Sequence, residues 1–95
     1  MTPTFPYEQY TVRDLDLTDD VLAKFEERCS TDPRVSGALR VLPDRTKGTL
    51  GVRFSVIADS APEAEHLGDG VFRDALKHAD PQPRLGPNHG SLSWT

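Results

Sequence analysis

Apolar residues in the middle of this chain recur at every second position. Leu39 and Val41, with Val35 ahead of them, alternate with Ser36, Ala38 and Arg40; further on, Leu50, Val52, Phe54 and Val56 alternate with Thr49, Gly51, Arg53 and Ser55. A period of two marks a strand with one buried and one open face. Residues 43–48, Pro-Asp-Arg-Thr-Lys-Gly, are turn formers, so the two strands form an antiparallel hairpin. A lone one-sided hairpin is barely stable in water, and the remaining chain must cover its apolar face.

Two helical segments are available for that. Thr18 is placed to cap a helix, with Asp19 and Asp20 in the first turn, where the helix dipole favours negative charge. Val21, Leu22, Phe25 and Cys29 follow at helical spacing, Leu17 and Leu22 can staple the entry, and Pro33 marks the stop, which predicts a helix over about 19–29. Ser60 and Glu63 offer a capping box, with Pro62 in the first turn. Ala64, Leu67, Val71, Phe72, Ala75, Leu76 and Ala79 then trace one face of a second helix, ending near Asp80-Pro81. Within it Gly68 and Gly70 each cost about 1 kcal/mol relative to alanine. Close packing against the sheet or a second subunit is the expected compensation; a break exposing backbone amides to an anion is the alternative.

Tyr10, Thr11 and Val12 favour a strand over 7–12, with Tyr10 and Val12 on one face, after an extended proline-containing arm at residues 1–6. Residues 81–90 read as a proline-rich loop leading to a weak terminal strand at residues 91–94, suited to a sheet edge. The order strand, helix, strand, strand, helix, strand predicts a single α+β domain over residues 1–95. Its expected form is a ferredoxin-like βαββαβ sandwich, a four-stranded antiparallel sheet with two helices on one face. Many unrelated functions share that fold, so it carries no activity with it.

Composition narrows the function classes. With 95 residues, 36% of them hydrophobic, the chain supports one thin core, and pairing with a second subunit is expected to extend it. A net charge of −4 speaks against attraction to nucleic acid or anionic membrane. No stretch has the run of roughly 18 apolar residues that a membrane span needs, and residues 1–6 lack the pattern of a signal peptide. Cys29 is the single cysteine, which suits a reducing, cytoplasmic location and leaves no cysteine-based zinc set within one chain.

The open face of the hairpin holds the best candidate site. A register with Ala38 opposite Arg53 and Arg40 opposite Gly51 makes Arg40 and Arg53 diagonal neighbours. Thr11 and Arg13 on the first strand would extend this into a cationic patch with Ser36, Thr49 and Ser55. The candidate binding residues are therefore Arg40, Arg53 and Arg13. Guanidinium groups grip oxyanions in bidentate fashion, so the ligand expected there is an acidic protein segment or a small anion. The ordinary role of such a face is solvation, its arginines paired with local carboxylates.

Other constellations are weaker. Residues 47–54 resemble in part the third-strand signature of RNA-recognition motifs, but Thr49 and Gly51 stand where base-stacking aromatics are needed. Glu63 and His66 have metal-ligand spacing on a helix, in one copy only. Asp74 and His78 form a surface pair four residues apart. Cys29 sits on an apolar stripe, and no positioning motif surrounds Asp80, His89 and Ser91.

These residues imply no cofactor. The expected function is a small non-enzymatic binding or assembly module, a homodimer acting through its open sheet face. The alternative is a ligand-binding domain or enzyme of the dimeric ferredoxin-like kind, with a cavity between helices and sheet reached by His66, Arg53 or Tyr10.

Overall fold

The structure, a computed structural model, describes residues 2–11 and 13–83. Seven elements follow in order: β1 (Thr4–Tyr10), β2 (Leu15–Asp16), α1 (Asp19–Thr31), β3 (Gly37–Asp44), β4 (Thr49–Ile57), α2 (Ala61–Ala79) and β5 (Gln82–Pro83). β1, β4 and β3 form a three-stranded antiparallel sheet in that spatial order, and β2 and β5 form a two-residue antiparallel ladder. The terminal strand expected at residues 91–94 lies outside the described residues. The proline-rich segment does contribute Gln82 and Pro83, which pair with Asp16 and Leu15.

Local signals set the helix ends. The Thr18 hydroxyl accepts from the Val21 amide and opens α1, and Asp19 and Asp20 lie in its first turn. Ser60 accepts from the Glu63 amide, and the Glu63 carboxylate reaches back to the Asp59 amide, which secures the start of α2. Asp80, in a left-handed conformation, closes α2 by donating its amide to the Leu76 carbonyl.

The β3–β4 hairpin is tighter than its composition suggests. Asp44 pairs with Thr49, leaving a four-residue turn. One carboxylate oxygen of Asp44 accepts from the Thr46 and Lys47 amides, and Gly48, at φ 70°, donates to the Asp44 carbonyl. This tight closure slides the register from the expected one. Arg40 stands directly opposite Arg53, and Leu42, not Arg40, faces Gly51. A bulge between Gly37 and Arg40, with Ala38 at φ 56°, ends the regular ladder.

β1 also departs from expectation. It begins at Thr4, within the supposed arm, and ends at Tyr10, short of Thr11 and Arg13. Pro6 is tolerated because it faces Ser55, a residue whose backbone serves β3, so the missing amide would have pointed away from β4. The phase is reversed too. Tyr7 enters the core, while Glu8 and Tyr10 share the outer face with Arg53 and Gly51.

Both helices cover the inner face. Leu50, Val52, Phe54 and Val56 of β4 are buried with Val21, Phe25 and Cys29 of α1 and Ala64, Val71, Phe72 and Ala75 of α2. Each fully buried aliphatic or aromatic side chain contributes roughly 1.5–3 kcal/mol. Phe25 meets Phe72 edge-on at 6.0 Å, and Tyr7 packs on Phe54 at 5.1 Å. Leu22, Leu39, Val41, Leu67 and Leu76, expected in the core, line its rim half-buried.

A polar clamp ties the helices together. Asp32, 3% exposed, accepts from the Arg34 backbone amide, from Nε and Nη2 of Arg34 and from Nη1 of Arg28. Arg34 also donates to Asp74 of α2 at 2.7 Å. Asp74 is thereby engaged with Arg34 and not paired with His78, whose Nε2 lies 3.9 Å from Glu27.

Candidate functional site

The outer face is built from alternate residues of three strands. Glu8 and Tyr10 come from β1, Gly51, Arg53 and Ser55 from β4, and Arg40 and Leu42 from β3. Gly51 supplies a flat bed on which the Tyr10 ring lies, at a spacing no Cβ could share. Resting there, the Tyr10 hydroxyl donates to Glu8 Oε2 at 2.7 Å, and Arg53 Nε donates to Glu8 Oε1 at 3.0 Å. The Tyr10 bond, then the Arg53 bond, hold the Glu8 carboxyl below its usual range. The same bond to Glu8 raises the Tyr10 phenol above its ordinary value.

Glu8 is thus shared by a phenol and one guanidinium. The second guanidinium, on Arg40, forms no ion pair among the described residues, although Arg53 stands opposite it. Directly opposed residues on a sheet have Cβ atoms about 5 Å apart, and like charges there repel. Glu8 stands on the β1 side of Arg53, away from β3, and the opposite side leaves room for one more anionic group beside Arg40.

Two open depressions flank this edge. One, about 570 Å³, is lined by Tyr10, Val41, Leu42, Pro43, Asp44, Lys47 and Thr49. The other, about 560 Å³, is lined by Glu26, Ala38, Leu39, Arg40, Val41 and Leu42. The first lies at the turn end of β3, whereas the second opens between Glu26 of α1 and the β3 edge, on the side where the alternative reading places its cavity. Of the residues that reading brings to the cavity, His66, Arg53 or Tyr10, the latter two stand on the outer face.

Of the three sequence-predicted residues, Arg40 and Arg53 come together. Arg13 sits exposed in the connection between β1 and β2, outside the ladder. Glu8 was missed, and Tyr10 was expected only at an inner cavity, because the strand phase was reversed. The signal that could have found them is Gly51, since a glycine inside an otherwise apolar strand marks a close approach by a neighbour.

The remaining candidates have structural roles. Glu63 caps α2, and His66 is exposed. Among the described residues no group of three or more His, Cys, Asp and Glu side chains is arranged to hold a metal. Cys29 is fully buried, and burial first, then the Asp32 charge, push its thiol up to about 11, far from a reactive thiolate. His89 and Ser91 lie outside the described residues. Among the described residues no helix is long and apolar enough to cross a membrane.

Comparison with protein-family models, curated proteins and solved structures finds no match for this chain.

Proposed function

We propose that this chain is a small non-enzymatic binding or assembly module that receives a carboxylate-bearing partner on its outer sheet face, as a homodimer. The observation that carries the reading is the charge imbalance of the patch: Arg40 and Arg53 face each other, and of the two only Arg53 pairs with Glu8. An oxyanion beside Arg40 relieves that repulsion and gains a bidentate partner. Arg53 and Tyr10 on the outer face, away from the helices, support a surface role over a pocket between helices and sheet.

The β1-β4-β3 order, with both helices on one face, is what three strands of a ferredoxin-like sheet would show, and on that ground we extend the proposal to this fold. A buried, unpaired Cys29 suits a cytoplasmic home.

The test is an NMR titration with tri-glutamate peptide, following the backbone and guanidinium signals of Arg40 and Arg53. Shifts confined to the outer face of β3 and β4, lost in Arg40→Ser/Arg53→Ser, are expected. Shifts elsewhere, or shifts that survive the double substitution, would remove this face as the site.

A further inference from the structure

The backbone of β3 shows how a partner could reach Arg40. The Thr11 amide bonds the Leu50 carbonyl and the Ser36 amide bonds the Ser55 carbonyl, so even-numbered residues of β4 serve β1 and odd-numbered ones serve β3. Arg40, Leu42 and Asp44, opposite Arg53, Gly51 and Thr49, therefore direct their amides and carbonyls to β4. Val41 and Pro43 direct theirs outward. Among the described residues Val41 has an amide and a carbonyl without a strand partner, and Pro43 a carbonyl alone. The bulge at Ala38 and the turn at 45–48 bound this short edge, and both depressions meet on it at Val41 and Leu42.

We infer that the partner is a second copy of this chain, which adds its β3 antiparallel to β3 about a two-fold axis at Val41 and supplies Asp44 as the carboxylate for Arg40. This rests on the reading of Arg40 as the partner-binding residue.

Two features select a second copy over an unrelated strand. The segment Arg40-Val41-Leu42-Pro43-Asp44 carries opposite charges at its two ends on the same face, with Leu42 between them. Reversed against itself, it sets the Arg40 stem on the second copy's Leu42 and its guanidinium one diagonal step from the second copy's Asp44 and the same step from the second copy's Arg40, so the two Asp44 carboxylates offset the two arginines that the axis brings together. Asp44 holds its own turn through Oδ1, and Oδ2 is the oxygen that would meet that arginine. Register is the other feature. A two-fold axis at Val41 lets the two copies of this residue exchange both backbone bonds, whereas a slip that set Val41 against Pro43 would forfeit the bonds proline cannot donate.

Sedimentation and amide hydrogen exchange on the unmodified protein, from low to high micromolar concentration, test this. We expect a monomer–dimer equilibrium in which the Val41 amide exchanges quickly in the dilute monomer and slowly in the dimer, with Arg40 and Leu42 amides protected in both. Arg40→Ser and Asp44→Asn should each raise the dimer dissociation constant about tenfold, because each removes two symmetry-related charge contacts. Asparagine keeps the Oδ1 acceptor, so the turn survives. Val41→Pro should abolish the dimer; if that variant fails to fold, the exchange measurement still decides. A dimer whose Val41 amide stays open to exchange overturns edge pairing while leaving an outer-face dimer standing. A monomer at every concentration whose Arg40 signals still move with tri-glutamate overturns the second copy as partner and keeps the binding face. A monomer with no such shift overturns both.

Discussion

The ring of Tyr7 lies on Gly68, so close that a Cβ on the helix would overlap the aromatic carbons. The Tyr7 hydroxyl continues past the glycine to Asp69 Oδ1 at 2.6 Å. An otherwise unfavourable helix glycine thus lets β1 and α2 approach closely, and the neighbouring aspartate satisfies the phenol that is carried into the core.

Gly68→Ala should therefore destabilise the protein by about 1–3 kcal/mol, the usual range for overpacking, in spite of alanine's higher helix propensity. Gly70→Ala is the control. A Cβ there would meet Nη1 of Arg34, the guanidinium nitrogen that takes no part in the clamp bonds of Nε and Nη2. We expect Gly70→Ala to lie within about 1 kcal/mol of the unmodified protein in urea denaturation. Equal losses at the two positions would contradict the role assigned to Tyr7.

The contrast between these two glycines shows what could be read in the sequence. Thr18, Ser60, Glu63 and the turn formers of 43–48 act on backbone a few residues away, so the two helices and the hairpin were legible. The phase of β1 was not. Tyr7 and Tyr10 are both aromatic, and which one turns inward is decided by Gly68 and Gly51, distant in the sequence. The Arg40–Arg53 pairing depended on where the turn closes, and Asp44, expected in the turn with Pro43, ends β3 instead while its carboxylate caps Thr46 and Lys47. The expected face of the patch was right for Arg40 and Arg53 but left out Glu8 and Tyr10.

Ala38 carries a second consequence of the hairpin. Its φ of 56° lies in the left-handed region, where a Cβ crowds the following carbonyl. Ala38→Gly should relieve that strain and raise stability by about 0.5–1 kcal/mol, net of the added freedom of the unfolded chain. Thermal unfolding would check it, and a loss of stability would mean that the methyl group packs usefully in the depression beside Arg40.

Acid stability should depend on Asp32. The hydrogen bond from Arg34 is the largest cause holding its carboxyl below the usual value, and Arg28 adds to it. Because the folded value is depressed, the stabilisation is complete above the unfolded value of about 3.9 and is lost as pH falls through the folded value. Asp32→Asn should cost about 1–3 kcal/mol at neutral pH and flatten the acid limb of a stability-against-pH profile. An unchanged acid limb in the variant would assign that limb to other carboxylates.

Arg40 and Arg53 should be separable by a double-mutant cycle in the dilute monomer. Arg53→Ser removes the partner of Glu8, an exposed ion pair that contributes little to stability. Arg40→Ser removes a charge with no ion pair among the described residues and a like charge opposite it, so it should leave stability unchanged or raise it slightly. The double variant should then fold nearly as well as the parent, with a repulsive coupling of about 0.2–0.5 kcal/mol between the two arginines at low salt. At about 1 M salt the screening length falls to about 3 Å, and the coupling should vanish. Coupling that persists in high salt, or one of attractive sign, would show that the two guanidinium groups stack or share a bound carboxylate in the monomer. In that event the charge imbalance beside Arg40 no longer argues for a partner.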